Sequence, residues 1–185
     1  MRQTFFVRRK GTAVPEKPSS PKKNKAVADL IATLADKDPV ERDGARRVLV
    51  RVGGPAVEPL VAALQDAREH VRWEAAMALF SIAHPAAAPA LVTALEDKDM
   101  NVRWLAAEGL CALDRHGLMP LLAALVEGAD SDWLRQGAHH VLHKLLKRDP
   151  AHPAAGVLAA LEEQEPQLGV PVAAQTALDV LRKLS

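Results

Sequence analysis

The feature that most constrains this chain is a self-similarity with a period of 30 to 32 residues. Leu30, Leu60, Leu91 and Leu122 open one pattern, which continues at Leu34, Leu64, Leu95 and Val126. Two residues further on stand Asp36, Asp66, Asp97 and Gly128. A second pattern opens at Val40, Val71, Val102 and Leu134, followed by the small residues Ala45, Ala76, Ala107 and Ala138. Each unit holds two segments with apolar residues spaced i, i+3, i+4 and i+7, which is the spacing of one helix face. A unit therefore reads as a helical hairpin, and a lone hairpin has nothing to bury its apolar face against until neighbours stack on it.

The spacing predicts helix pairs over 26–35 with 39–52, 56–66 with 69–83, 86–96 with 100–115, and 118–127 with 131–147. A looser fifth pair is expected over 154–163 and 171–184, with a longer turn between its helices. Asp38 before Pro39 has the form of a cap followed by proline at the first helical position, while Gly53, Gly54 and Pro55 punctuate the join between units. Aromatic residues make up only 3% of the 185 residues, with no Tyr, so the core must be built from Ala, Leu and Val, which suits closely approaching helices. The single cysteine, Cys111, excludes an internal disulfide and a cysteine-rich zinc module. No run of about 18 apolar residues is present, and with no signal-peptide pattern the expected location is cytoplasmic, with no membrane contact.

Charge is divided unevenly. Residues 1–25 carry 8 of the 24 Lys and Arg but 1 of the 23 Asp and Glu, and the remaining residues are net acidic. With Pro15, Pro18, Pro21, Ser19 and Ser20 among its lysines, this stretch lacks a helical period, so the expected domains are a flexible basic arm over 1–25 and a repeat body over 26–185. A basic arm can attract phosphate backbones, which makes nucleic-acid binding a lesser alternative.

The strings Leu64-Gln65-Asp66 to Val71-Arg72-Trp73-Glu74-Ala75-Ala76-Met77-Ala78-Leu79 and Leu95-Glu96-Asp97 to Val102-Arg103-Trp104-Leu105-Ala106-Ala107-Glu108-Gly109-Leu110 resemble HEAT repeats, particularly those of the phycobilisome-lyase type. The resemblance covers about residues 26–148. It implies an all-α, right-handed α-solenoid of about five hairpins. It also implies that the repeated Asp and Arg are structural, bridging neighbouring units at the turns; as exposed pairs they would add only ~0.2–1 kcal/mol each. The first unit is expected to depart from this, with Glu41 where Arg72 stands. Members of this repeat class serve as scaffolds, chromophore lyases, hydroxylases and DNA-repair proteins, so the fold alone does not name a function.

On a helical wheel of about 100° per residue, Trp73, Met77 and Phe80 point away from Val71, Ala75 and Leu79. The equivalent sets are Trp104, Glu108 and Cys111; Gln136, His140 and His143; and Arg42, Arg46 and Leu49. In a solenoid this direction of the second helices lines the concave surface. The expected partner-binding strip is thus Arg42, Arg46, Trp73, Met77, Phe80, Trp104, Glu108, His140 and His143, with packing of the two tryptophans on each other as the competing reading. His139, His140 and His143 share a helix at metal-ligand spacing, but two ligands do not make a site and none is expected. Hydroxylases of the resembled class carry repeated His-Glu dipeptides, and this chain has none. Glu108 beside Trp104 invites comparison with the class's DNA glycosylases, against which stands the acidic body. No phosphate loop, nucleophile elbow or Cys-His arrangement is present. The expectation is a monomeric, non-catalytic protein-interaction scaffold with no cofactor, its partner another protein. A bilin lyase or lyase-like chaperone is the alternative.

Overall fold

The computed structural model describes residues 21–184, with side chains from residue 25. The expected basic arm lies almost entirely outside the described residues. Ten α-helices follow: α1 (Pro21–Thr33), α2 (Pro39–Val52), α3 (Gly54–Ala63), α4 (Glu69–Ile82), α5 (Ala88–Ala94, entered through a 3₁₀ turn at Pro85–Ala87), α6 (Met100–Ala112), α7 (Arg115–Gly128), α8 (Asp132–Arg148), α9 (Ala155–Leu161) and α10 (Pro166–Lys183). They pair as five hairpins, and the fold is an all-α repeat fold. α1 begins at Pro21, five residues before the expected start of the repeats.

Two layers run through the stack. α2, α4, α6 and α8 pack side by side in one layer, and α1, α3, α5 and α7 in the other. Between them lies a continuous core of Leu, Val and Ala in which Leu49, Leu79, Leu110 and Leu142 occupy the same place in successive units and are essentially inaccessible. The expected alanines Ala45, Ala76, Ala107 and Ala138 are all buried there, although the equivalent places in successive units are Ala45, Ala75, Ala106 and Ala138, where small side chains let helix backbones come close. The approach is closest where α7 leaves α6. A β-carbon at Gly117 would fall 2.3 Å from the Leu110 carbonyl oxygen, so only glycine fits.

The turns between paired helices repeat one device. Asp36, Asp66 and Asp97 each accept the backbone N–H two residues on, from Asp38, Arg68 and Asp99. One arginine per unit then donates its Nη1 to the carbonyls six and five residues back: Arg42 to Asp36 and Lys37, Arg72 to Asp66 and Ala67, and Arg103 to Asp97 and Lys98. Arg135 makes the first of these bonds, to the Ala129 carbonyl six residues back. Orphan carbonyls at the end of the first helix are thereby satisfied by a rigid forked donor.

This device corrects the reading of the first unit. Arg42, not position 41, is the counterpart of Arg72, so Val40 is not the counterpart of Val71. Val40 sits in the first turn of α2, 73% exposed, and the place of Val71 is held by the exposed Glu41. The strip expected in this unit shifts by one residue with it, to Asp43, Arg47 and Val50; Leu49 belongs to the core at 0% exposure. Apolar matching selected the nearest valine, whereas the hydrogen-bonded turn sets the register.

The fifth hairpin also departs from expectation. Its turn spans only residues 162–165, and α10 starts at Pro166 and runs through Pro171. Proline there removes one intrahelical bond near the helix start, a loss that packing offsets. α9 continues the α8 layer, while α10 lies along α7 in the other layer. The Arg115 guanidinium at the start of α7 donates to the Leu181 carbonyl near the end of α10, 2.6 Å away, so these two helices run antiparallel. The last pair thus closes the stack with its layers exchanged.

Candidate partner-binding surface

The ladder arginines meet different neighbours. Arg72 reaches across to the next unit and grips Asp97 in a two-pronged pair, Nε to Oδ2 at 2.6 Å and Nη2 to Oδ1 at 3.0 Å, with side chains only 7% and 9% exposed. Burial pushes the Asp97 carboxyl up, but the Arg72 guanidinium outweighs it and holds the carboxyl below its ordinary value; the Asp97 carboxylate raises Arg72 in turn. The expected bridge between units is therefore present here, and it is buried rather than exposed. Asp66, the corresponding carboxylate one unit earlier, turns instead to Arg68, whose hydrogen bonds hold it well below the carboxylate range.

At the following boundary the place of Asp97 falls at Gly128 and Ala129, which offer no carboxylate. Arg103 lies over the ring of Trp133 instead, 4.6 Å from its centroid. Around this stack gather the exposed apolar side chains of the α6 and α8 starts: Met100 at 68%, Trp104 at 55% and Trp133 at 41%. With Leu95, Ala107 and His140 they line an open cavity of about 220 Å³. Asp99 and Ser131 cap these two helices with side-chain acceptors, which fixes where the tryptophans begin.

Further along the same groove, Glu108 bridges α6 to α8. His140 Nε2 lies 2.6 Å from its Oε1, and Lys144 Nζ donates to both oxygens at 2.9 and 2.8 Å. Burial raises the Glu108 carboxyl, but Lys144 and His140 bring it below its ordinary value, and Lys144 is raised by the same contact. Beyond it a larger hollow of about 480 Å³ is lined by Phe80, Glu108, Cys111, Lys144, Lys147 and Arg148. Burial pushes the Cys111 thiol up to about 11, which leaves it un-ionised and a weak nucleophile at neutral pH.

The structure gathers some of the expected strip and disperses the rest. Trp104, Glu108 and His140 share one groove. His143 does not join them: its ring stacks on His139, centroids 6.0 Å apart, and His139 faces Glu162 at 3.4 Å. Among the described residues no three metal-ligating side chains converge. Trp73 and Met77 are half-buried and packed on the core, and Phe80, half-buried as well, reaches the far hollow beside Glu108. Arg42 and Arg46 crowd the buried Glu74, Arg46 Nε donating at 2.8 Å and Arg42 Nε lying 3.6 Å away, while Arg46 also pairs with Asp43. They bind the first two units together. Trp133, Met100, Arg103 and Lys144 were absent from the expected strip. Trp133 had a signal in the sequence: one residue before Leu134, it falls only about 60° from the wheel direction of Trp104, on the adjacent helix.

A two-layer stack of hairpins, stitched by repeated arginine turns and carrying an aromatic groove along one layer, defines an α-solenoid repeat protein. The chain belongs to the HEAT repeat family, whose model matches residues 27–99 and 57–143. Among solved structures it is similar to a chain in the complex of CpcE and CpcF of phycocyanin lyase from Nostoc sp. PCC7120, at 25% identity and a TM-score of 0.52, covering 80% of this chain and 98% of that one. It also aligns with an engineered protein at 22% identity and a TM-score of 0.42, covering 82% and 77% of the two chains. A designed armadillo repeat protein in complex with the peptide (KR)4 aligns at 20% and 0.37, covering 85% and 91%. No curated protein matches the chain. Among the described residues no helix is long and apolar enough to cross a membrane.

Proposed function

We propose that this protein is a non-catalytic interaction module that holds another protein along the α6–α8 groove. The observation that carries this is the cluster of Met100, Trp104 and Trp133, three large apolar side chains left exposed around one cavity on a frame whose turns are otherwise satisfied. Tryptophans in such a setting are the side chains on which binding energy concentrates. A cavity of about 220 Å³ suits one inserted side chain better than a small molecule, whose sites are typically ~300–1,000 Å³. The non-catalytic reading is supported by the groove's ionisable groups: Glu108 is held ionised by two donors, and Cys111 is held as the thiol. The similar Nostoc chain sits in a two-subunit complex, which favours a protein partner.

That same similarity supports the second reading, a bilin lyase or lyase-like chaperone. Capture from the native host separates the two. The double substitution Trp104→Ala and Trp133→Ala should lose a stoichiometric protein partner while melting within a few degrees of the unaltered protein, with Glu58→Arg on the exposed side of α3 as the control that keeps it. Retention of the partner by the double variant would move the contact elsewhere. A coloured tetrapyrrole that co-purifies and is passed covalently to a second protein would establish the lyase reading.

A further inference from the structure

We infer that the α6–α8 groove receives an acidic peptide segment anchored by one apolar side chain, an inference that rests on the protein-binding reading above and names the partner's chemistry. Charge is the first reason. The chain after residue 25 carries 16 Lys and Arg against 22 Asp and Glu, yet α8 alone carries four Lys and Arg against a single Asp. Its excess of positive charge is larger than that of α1, α2 or α10, and it is the helix that walls the groove. Lys147 and Arg148 stand at the far hollow, and Lys147 makes no ion pair among the described residues.

Spacing is the second reason. His140 edges the tryptophan cavity and Lys147 edges the basic hollow, seven residues or about 10 Å apart along α8. About three residues of extended chain span that distance. A segment with an apolar side chain between Trp104 and Trp133 would therefore bring carboxylates three residues later onto Lys147, beside Arg148, which already holds Asp114. Glu108 lies between the two ends and mutes Lys144. It sets a limit on how many carboxylates the groove accepts, and its removal should release another cation. A nucleic acid would want a continuous basic face rather than one basic helix beside an apolar cavity.

The test uses a fluorescein-labelled ten-residue peptide with one leucine followed, from the third residue on, by three glutamates. Its counterparts replace the glutamates by lysines or the leucine by glycine, and a single-stranded thymidine oligomer is the fourth probe. Anisotropy with the full chain should show saturable binding of the acidic probe alone, weakened about tenfold by Trp104→Ala and by Lys147→Glu and reduced by added salt. Glu108→Gln should tighten it. Equal or tighter binding of the lysine probe, weakening by Glu108→Gln, tighter binding of the oligomer with indifference to Trp104→Ala, or no saturation by about 1 mM acidic probe would each overturn the inference. Such a result leaves the interaction reading standing if the tryptophan pair still loses its captured partner. If the double tryptophan variant keeps that partner, the contact lies elsewhere and the groove falls as its site, whatever the probes do.

Discussion

At the boundary between units two and three, Arg72 meets the carboxylate of Asp97 and both leave solvent; one unit later, Gly128 and Ala129 hold the place of that carboxylate and Arg103 lies on the ring of Trp133. The two arginines are equivalent by position and by their bonds to the turn carbonyls. Between these two boundaries the difference is the neighbour's carboxylate, present at Asp97 and missing at Gly128 and Ala129; at the first boundary Asp66 is engaged by Arg68 and Arg42 turns to Glu74. The frame and the candidate binding surface are thus alternative outcomes of one repeated device, and a repeat protein can acquire a site by losing a structural partner rather than by adding residues.

The sharpest way to break this comparison is to remove the arginine on each side. Arg72→Ala leaves Asp97 buried without its partner and should destabilise by roughly 3–5 kcal/mol. Arg103→Ala removes turn bonds and an exposed cation–π contact, the latter worth about 0.5–1 kcal/mol, and should cost much less. Urea unfolding of both variants measures the difference; equal losses would mean that Arg103 is as structural as Arg72.

A second contrast concerns the links between units. Gly53 joins units one and two at φ 71° and ψ −132°, a conformation natural to glycine. Asp114 joins units three and four at φ 47° and ψ −123°, where a side chain is strained, and its carboxylate is held 2.6 Å from Arg148 Nη2. Such strain typically costs ~1–3 kcal/mol. Asp114→Gly should therefore raise the melting temperature, with a net gain of about 1 kcal/mol after loss of the exposed pair with Arg148. No gain would place the strain in doubt and make this link as relaxed as that at Gly53.

The smallest effect is the pH dependence. Asp97 and Glu108 both have folded values below their ordinary ones, so each contributes stability that is fully present above the unfolded carboxylate value of about 4 and is lost as pH falls through the folded value. Glu108 faces the half-exposed Lys144, so its share should be under about 1 kcal/mol. Glu108→Gln should slightly flatten the acid limb of a stability curve measured between about pH 5 and 2, and Asp97→Asn should flatten it more. The reverse order would assign the buried pair to the wrong boundary.

Five hairpins, their approximate ends and the recurring leucines of the first helices, among them Leu60, Leu91 and Leu122, were legible in the sequence, because helix period, caps and small residues act within a few positions of one another and recur. So was a structural role for the Asp and Arg of the turns, although of these only Arg72 and Asp97 bridge two units. What escaped was register in the first unit, where Val40 matched the apolar pattern while Asp36 and Arg42 set the actual turn. The exchange of layers in the last hairpin also escaped, since it depends on α10 finding the open flank of α7. A helical wheel assigns one direction to Trp73 and Trp104 alike. Their burial differs because it is fixed by the surfaces of adjoining helices, and that comparison spans units. The sequence by itself determined a HEAT-type helical stack. Only tertiary structure decided which arginine would find a carboxylate, and hence where Trp104, Trp133 and Lys147 would be left facing solvent, because a cross-unit contact depends on residues 25 or more positions away in a packed neighbour.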